Sequence, residues 1–460
     1  MNGEEQEQMN ARDIALWALR EKHGNVAVNV DRLATEHNVA GEDRSLAREL
    51  AIGVMRHRGL LRAVVRSLLA KPGRRLPGPV GDIISLGMYQ ILFLDRVPDF
   101  AAVDEAVNQV IRTNHRRQSG LVNGVLRTAA RQYEKTAAGE PSLAAEVIPI
   151  GPNAYYVAEK PIFADPGRDP AAYLAEAFSL PEPLGRRWIA RFGGLENVAK
   201  LAMHANSRAP MIVRVNTLKT GVDALMARLV QEGVETRRHS NGVSVVVYDA
   251  AGLLASKSFA EGLMQPQDAV ATAVCLAAAP KPGVRVLDLC AAPGTKTTHM
   301  AELMNDTGEI VAADVPHKLR PIEENCERMG ISIVRTIPAE KLGSLESHGF
   351  DLVLADVPCS NTGVLARRVE ARCRFDQRCL TELVKDQRFL AEAGAGFVKP
   401  GGRLVYSTCS LEAEECSEIA EYLVRRNPHL EVVYEKLTMP RGAVDPTQWN
   451  DGGYVAIFQA

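Results

Sequence analysis

Apolar residues in the first third of the chain recur at spacings of three and four, as in ARDIALWALRE and RSLARELAIGVMRHRGLLRAVVRSLL. Such spacing puts them on one face of an amphipathic helix. Nearly every segment from about residue 10 to 135 reads this way, which predicts an all-α domain over residues 8–138. Pro and Gly interrupt it at KPGRRLPGP (71–79) and VPD (97–99), where a helix cannot continue. Residues 139–170 are rich in Pro, Gly and Ala, hold no period, and are read as a linker.

The pattern changes after 171. A helical start is followed by MIVRVNTL as strand, VDALMARLVQEG as helix, and VETRRH and VSVVVYD as strands joined by Asn241-Gly242, a strong short hairpin signal. This β-α-β-β order predicts a small α+β domain over 171–262. It resembles small RNA-binding sheets, and a structural spacer fits the same pattern. From 263 to 460 strands and helices alternate: VRVLDL, a helix near 296–304, EIVAAD, a helix near 317–329, ISIVRT, DLVLAD, a helix near 380–397, RLVYS, a helix near 412–426 and terminal strands near 431–434 and 454–458. Alternation of this kind predicts a mostly parallel, doubly wound, Rossmann-like α/β domain.

Composition narrows the class. With 46 % hydrophobic and 24 % charged residues, and no window near the run of about 18 apolar residues that a membrane helix needs, a globular protein without membrane attachment is expected. The leading MNGEEQEQMNARD has none of the blocks of a secretory signal, which points to the cytoplasm. The eight cysteines form no CxxC pair and no zinc spacing, so reduced thiols and no metal are expected. The net charge of −2 conceals a basic stretch, since residues 10–140 hold 20 Lys+Arg against 14 Asp+Glu. Such an excess can hold phosphates. Arg112, His115, Arg116, Arg117, Arg127 and Arg131 are the candidates, and a merely solvated helical face explains the same charges.

Two cysteines carry the chemistry. Cys359 in FDLVLADVPCSNTG and Cys409 in GGRLVYSTCS each follow a predicted core strand. Strands of one parallel sheet end at the same crevice, where such sheets hold ligands. Two thiols converging there suggest covalent catalysis with an assisted release step. Upstream, VLDLCAAPGTKTTHM (286–300) sets an acidic residue, small residues and a glycine between strand and helix, which suits close approach of a cofactor. Asp314 ends the next strand, where an acidic side chain accepts from a ribose diol. Asp356, before Val-Pro-Cys, can accept from a base amine, and a thiolate is what methylation of a pyrimidine carbon requires. Cys409 lies between strand RLVYS and a helix expected from Glu412, whose positive end would lower its proton affinity.

These strings resemble the RNA cytosine-5 methyltransferases that use S-adenosylmethionine. The likeness runs through DLCAAPGTK, ADVPCSNTG, KPGG (399–402) and YSTCS, with QPQDAVA (265–271) before them and RVN (214–216) in the preceding domain. The helical strings DRSLARELAIGVMRHR, SLGMYQILFLDRVPDFAAVDEAV and SGLVNGVLR are similar to the NusB-type RNA-binding domain of the branch that methylates bacterial small-subunit ribosomal RNA. The resemblance implies that Cys290, Ala291, Ala292, Pro293, Gly294, Thr295 and Lys296 line S-adenosylmethionine and that Asp314 holds its ribose. It implies that Asp356 contacts cofactor or target base, that Cys409 attacks, and that Cys359 helps to eliminate the enzyme from the product. The residues alone do not order the two thiols. Ribosomal RNA is the implied partner, in a complex with a monomeric enzyme. Methylation of transfer RNA by the same chemistry, and an RNA-binding assembly factor without turnover, are the competing readings. The chain departs from the family pattern at Thr295, Asn361, Glu370 and Glu415-Cys416-Ser417, and Glu340 stands near the place of the usual adenine-binding aspartate.

Overall fold

The computed structural model describes residues 9–21, 24–71, 73, 75–133 and 139–460. Residues 8 and 138, the expected limits of the helical domain, and the N-terminal leader before residue 9 lie outside them. The described chain divides into two units, Met1–Ser207 with Arg368–Arg374, and Arg208–Arg367 with Phe375–Ala460.

The first unit is helical, with helices at Ala11–Arg20, Val26–Glu36, Gly41–Arg56, Arg58–Leu68, Gly78–Phe93, Asp99–Arg112 and Ser119–Gln132. Asn10 starts the first with a capping box: its side chain accepts from the Arg12 and Asp13 amides while the Asp13 carboxylate accepts from its own N–H. Gly78–Phe93 runs through the middle, burying Val80, Ile83, Ile84, Leu86, Met88, Tyr89 and Leu92.

The stretch read as a linker is folded. Strands β1 (Val147–Gly151) and β2 (Ala154–Val157) form an antiparallel hairpin, with Ile148, Tyr156, Ile162 and Phe163 buried. The hairpin alternates too briefly, between too many prolines and glycines, for its period to register. Helices Pro170–Ala177, Glu182–Arg191 and Leu195–Asn206 are grouped with this unit. Ser179 Oγ accepts from the amides of Gly59 (2.9 Å) and Leu60 (3.2 Å), capping the helix that starts at Arg58. Within Arg368–Arg374, buried Arg372 donates to the carbonyls of Arg56 (2.6 Å) and Ala205 (3.0 Å) and to Asn206 Oδ1 (2.9 Å). Glu370, a departure from the family pattern, accepts from Asn25 Nδ2 at 2.8 Å.

The second unit holds two sheets. The smaller comprises β3 (Met211–Val215), β4 (Thr236–Arg238), β5 (Ser244–Val247) and β6 (Met264–Pro266), ordered β4-β5-β3-β6 and wholly antiparallel. The Asn241 side chain closes the β4–β5 hairpin by accepting from the Val243 and Ser244 amides. β6 lies beyond the boundary expected at 262, because a three-residue edge strand is too short to show a period. One face of this sheet packs Val213, Val215, Val245 and Val247 on Leu225 and Leu229 of the helix Val222–Gln231. The other packs Ile212 and Val246 on Ala366 and Trp449. Both faces are thus covered at these positions.

The larger sheet has seven strands: β7 (Arg285–Asp288), β8 (Glu309–Asp314), β9 (Val334–Pro338), β10 (Phe350–Asp356), β11 (Val398–Thr408), β12 (Glu431–Thr438) and β13 (Gly453–Gln459). Their order is β12-β13-β11-β10-β7-β8-β9, with β13 antiparallel to both its neighbours and β7 to β11 mutually parallel. The chain runs outward from β7 to β9, then returns to β10 on the other side of β7. The carboxyl ends of β7 and β10 therefore flank a topological switch point, where open α/β sheets bind ligands. No helix among the described residues is long and apolar enough to cross a membrane.

Candidate active site

Strands β7, β8, β10 and β11 deliver side chains to that switch point. β7 ends at Asp288, and the turn that follows runs through Cys290–Gly294 into the helix Thr295–Leu303. Gly294 has φ +92°, and a Cβ there would stand 3.2 Å from the Cα of Ile322, so only glycine suits this turn. No side chain caps the helix that starts after it, leaving first-turn N–H groups for an anionic ligand. The Asp314 carboxylate at the end of β8 accepts from the amides of Ala292 (3.0 Å) and Val315 (2.8 Å), with Lys318 Nζ at 3.8 Å. Lys296 reaches from the helix to Asp356 at the end of β10 (2.7 Å), whose other oxygen accepts from Ser407 Oγ of β11 at 2.6 Å. Burial works against the Lys296 ammonium, but the charge and hydrogen bond of Asp356, aided by Cys275 and Cys409, outweigh it and hold the proton more firmly than in an ordinary lysine.

The two thiols meet. Cys359 Sγ lies 2.9 Å from Cys409 Sγ, both unoxidised, and Cys409 Sγ lies 3.2 Å from Asn361 Oδ1. Asn361 adopts φ +61° and donates from Nδ2 to the Cys359 carbonyl at 2.8 Å; asparagine is among the few residues with a side chain that accept this backbone. The bond to Cys409, then burial, then the charges of Cys409 and Glu415 push the Cys359 thiol well above its usual range, against an opposing Asn361 backbone N–H. The helix after Cys409 begins at Ser417, beyond a 3₁₀ turn Ala413–Glu415, not at Glu412 as expected. The groups bonded to the Cys409 sulfur are Cys359 and Asn361.

The other cysteines divide as residue type suggests. Burial pushes Cys275 and Cys290 up to about 12 and Cys326 up to about 11, which makes them unreactive. Cys373 and Cys379 are exposed on the surface, and Cys416 is buried with its thiol near the Ser410 carbonyl (3.5 Å). Glu340 is exposed in a 3₁₀ stretch, Ala339–Ser344, directly after β9. Among the described residues no group of three or more His, Cys, Asp or Glu side chains is arranged to hold a metal ion.

Some residues at this site were not legible as functional. Arg214, read only as part of the RVN string, is buried and donates to Gln267 Oε1 (2.5 Å), the Thr295 carbonyl (2.9 Å), Thr298 Oγ1 (3.3 Å) and Glu302 (2.6 Å). It anchors the first turn of the helix carrying Lys296. Glu415 and Gln387 are wholly buried beneath both cysteine loops. Both stand in polar stretches, AEECSE and VKDQR, so no break in an apolar pattern marks them.

Three family models match the chain in the order of its parts. They are the NusB family over residues 9–131, the RsmF/B-like methyltransferase ferredoxin-like domain over 180–251, and 16S rRNA methyltransferase RsmB/F over 275–450. The ribosomal RNA small subunit methyltransferase B of Klebsiella pneumoniae is 30 % identical over 433 residues, spanning 92 % of this chain and 91 % of that one. The chain belongs to the RsmB/F family. The probable small subunit methyltransferase B of Bacillus subtilis is 29 % identical over 92 % of this chain and 90 % of its own. Among solved structures, that of PH0851 shares the fold over 97 % of both chains, with a TM-score of 0.73 at 24 % identity. A methyltransferase homolog protein from Pyrococcus horikoshii, 26 % identical, covers 64 % of this chain and 99 % of its own with a TM-score of 0.53.

S-adenosylmethionine is the methyl donor of this RsmB/F chain. The residues suit it: an uncapped helix start for its carboxylate, an Asp314 carboxylate fixed by two amides for a ribose diol, and small residues between β7 and the helix for close approach. The basic candidates lie in the first unit. Arg116, Arg117, Arg127 and Arg131 are exposed. Arg112 is not available to phosphate, because it pairs with Glu105 (2.5 Å) and Asp13 (3.2 Å). Glu105 lies two turns earlier on the same helix, whereas Asp13 comes from the first helix, which spacing along one helix does not reveal.

Proposed function

We propose that this chain methylates carbon 5 of a cytosine in 16S ribosomal RNA through a covalent adduct on Cys409. The carrying observation is the 2.9 Å approach of the Cys359 and Cys409 sulfurs at the ends of β10 and β11, beside the Lys296–Asp356–Ser407 chain. Carbon 5 of cytosine is a poor nucleophile until a thiolate adds at carbon 6. Cys409 makes that S–C bond, turning carbon 5 into an enamine carbon. Bound S-adenosylmethionine supplies the electrophilic methyl group. Loss of the carbon 5 proton to water then lets the S–C bond break, the electron pair returning to Cys409. Cys359, lying against Cys409, assists this release. Asp356, its two oxygens fixed by Lys296 and Ser407, is placed to accept from the base's exocyclic amine. The turn Cys290–Lys296 and Asp314 hold the cofactor, and the exposed Arg116, Arg117 and Arg127 contact RNA phosphates. The target base leaves its stack to reach the thiols. The enzyme acts as a monomer in the cytoplasm, where its substrate is.

Methyl transfer from labelled cofactor to unmodified 16S rRNA, followed by mapping of 5-methylcytosine, tests this reading. Label in one cytosine of 16S rRNA is the expected result. Label only in transfer RNA, or RNA retention without label, would sink it in favour of the tRNA enzyme or the assembly factor.

A further inference from the structure

One buried carboxylate is bonded to both loops that carry the reactive thiols. Glu415 is wholly buried. Its Oε1 accepts from the Ser360 amide (2.9 Å) and from Gln387 Nε2 (2.9 Å), and its Oε2 from Ser360 Oγ (2.5 Å) and Ser410 Oγ. Ser360 follows Cys359 and Ser410 follows Cys409. Gln387, on the helix Gln377–Phe397, also donates to the carbonyl of Pro358, the residue before Cys359, at 2.9 Å. The Glu415 carbonyl accepts from the Tyr406 hydroxyl of β11 at 2.8 Å.

We propose that Glu415 is a positioning residue that sets the separation and approach of the two thiols, and so governs both attack by Cys409 and release assisted by Cys359. This rests on the two-thiol reading above. A carboxylate only accepts, and its two oxygens offer about four lone-pair sites. Four donors from the P-C-S loop, the T-C-S loop and the helix beneath them occupy it. A neutral amide at 415 turns one of those oxygens into an N–H₂ group that faces donors, so the loops lose their common anchor. The groups that face the Cys359 sulfur are Cys409, the Glu415 charge and the Asn361 backbone N–H. Removing the charge therefore makes the Cys359 proton easier to lose, an effect that a purely structural residue would not produce.

The test uses the full-length protein carrying Glu415→Gln, or Ser360→Ala with Ser410→Ala. Three quantities are measured: kcat on unmodified 16S rRNA, affinity for S-adenosylhomocysteine by equilibrium dialysis, and the pH dependence of Cys359 alkylation by iodoacetamide, mapped by mass spectrometry. Displacing a reacting group by about 1 Å costs about 100-fold, so Glu415→Gln is expected to lose about that in kcat with cofactor affinity retained. Its Cys359 alkylation curve moves to lower pH. Wild-type kcat together with an unmoved alkylation curve overturns the proposal. If Glu415→Gln does not fold, the double serine variant decides: reduced kcat at retained cofactor affinity supports the proposal, and a wild-type rate overturns it. Cys409→Ala separates the two claims. Turnover by Cys409→Ala sinks the two-thiol reading, whereas an inactive Cys409→Ala beside a fully active Glu415→Gln sinks only the role of Glu415.

Discussion

At the scale of single residues, the proposed chemistry gives the two cysteines different roles. Cys409→Ala is expected to abolish turnover, since it removes the thiol that adds to carbon 6. Cys359→Ala is expected to leave the Cys409 attack intact and slow the release, so that a protein–RNA adduct accumulates as a slow band on a denaturing gel. A Cys359→Ala enzyme that turns over normally and forms no such band would remove Cys359 from the release step. Asp288 gives a second residue-scale prediction. Burial, opposed by a 2.7 Å bond from Thr297 Oγ1 and reinforced by the charge of Asp356, pushes its carboxyl up from 3.8 to about 7. Between those values the unfolded chain has released a proton that the folded chain retains, so this group lowers stability as pH rises through the window and adds no further change above it. Asp288→Asn keeps an oxygen for Thr297 and does not titrate. Its stability relative to wild type should therefore climb between pH 4 and 7, by on the order of 2–4 kcal/mol, and then level off. Urea unfolding of both proteins across that range checks it, and a difference that stays flat with pH would show the carboxyl to be charged in the fold.

At the scale of elements, the link between β3 and the helix Thr295–Leu303 depends on a buried ion pair, Arg214 with Glu302. Burial raises the Glu302 proton affinity even with Arg214 beside it, so Arg214→Met leaves an acid without its counter-charge. Breaking one side of such a pair costs about 3–5 kcal/mol. We expect that loss in chemical denaturation, with weaker cofactor binding because Thr295 loses its anchor, and recovery of most of the stability in Arg214→Met with Glu302→Leu. No recovery in the double variant would mean that the pair is not the cause. The cysteine loops show a second element-scale constraint. Gly363 N donates to the Cys409 carbonyl at 2.9 Å, and a Cβ at 363 would stand 2.5 Å from the Gly452 carbonyl oxygen. Gly363→Ala must therefore push the P-C-S loop off the segment that carries Asp451 and Gly452. Loss of turnover with cofactor affinity retained is the expected outcome, read from kinetics and dialysis on the same sample.

At the scale of the molecule, RNA binding and fold stability should separate by arginine. Replacing exposed Arg116, Arg117 or Arg127 by Ala is expected to weaken RNA binding and to reduce the slope of log affinity against log salt by about 0.7–0.9 for each phosphate that is no longer neutralised. Arg112→Ala should leave that slope unchanged and lower the unfolding midpoint, because it removes the partner of Asp13 and Glu105. Filter binding across a salt series tells the two classes apart. The same contrast shows where the chain could be read. Strands β7, β8, β10 and β11 and the helices between them follow from runs and periods within a dozen residues, and the turn 290–296 and both cysteine loops from short strings. The hairpin 147–157 and the edge strand β6 did not follow because each is too short to hold a period, and the Asp13 partner of Arg112 and the place of Glu415 against the P-C-S loop did not because those partners lie far along the chain.

Local order was thus written in the sequence: which segments are helix or strand, that two thiols follow two parallel strands, and the family the motifs belong to. Only the tertiary structure decided that those thiols stand 2.9 Å apart and that one buried carboxylate joins their loops. Periodicity is a property of neighbours along the chain and survives in any window. Distance and burial are properties of groups brought together from β7, β10, β11 and the helix beneath them, and no window contains them all.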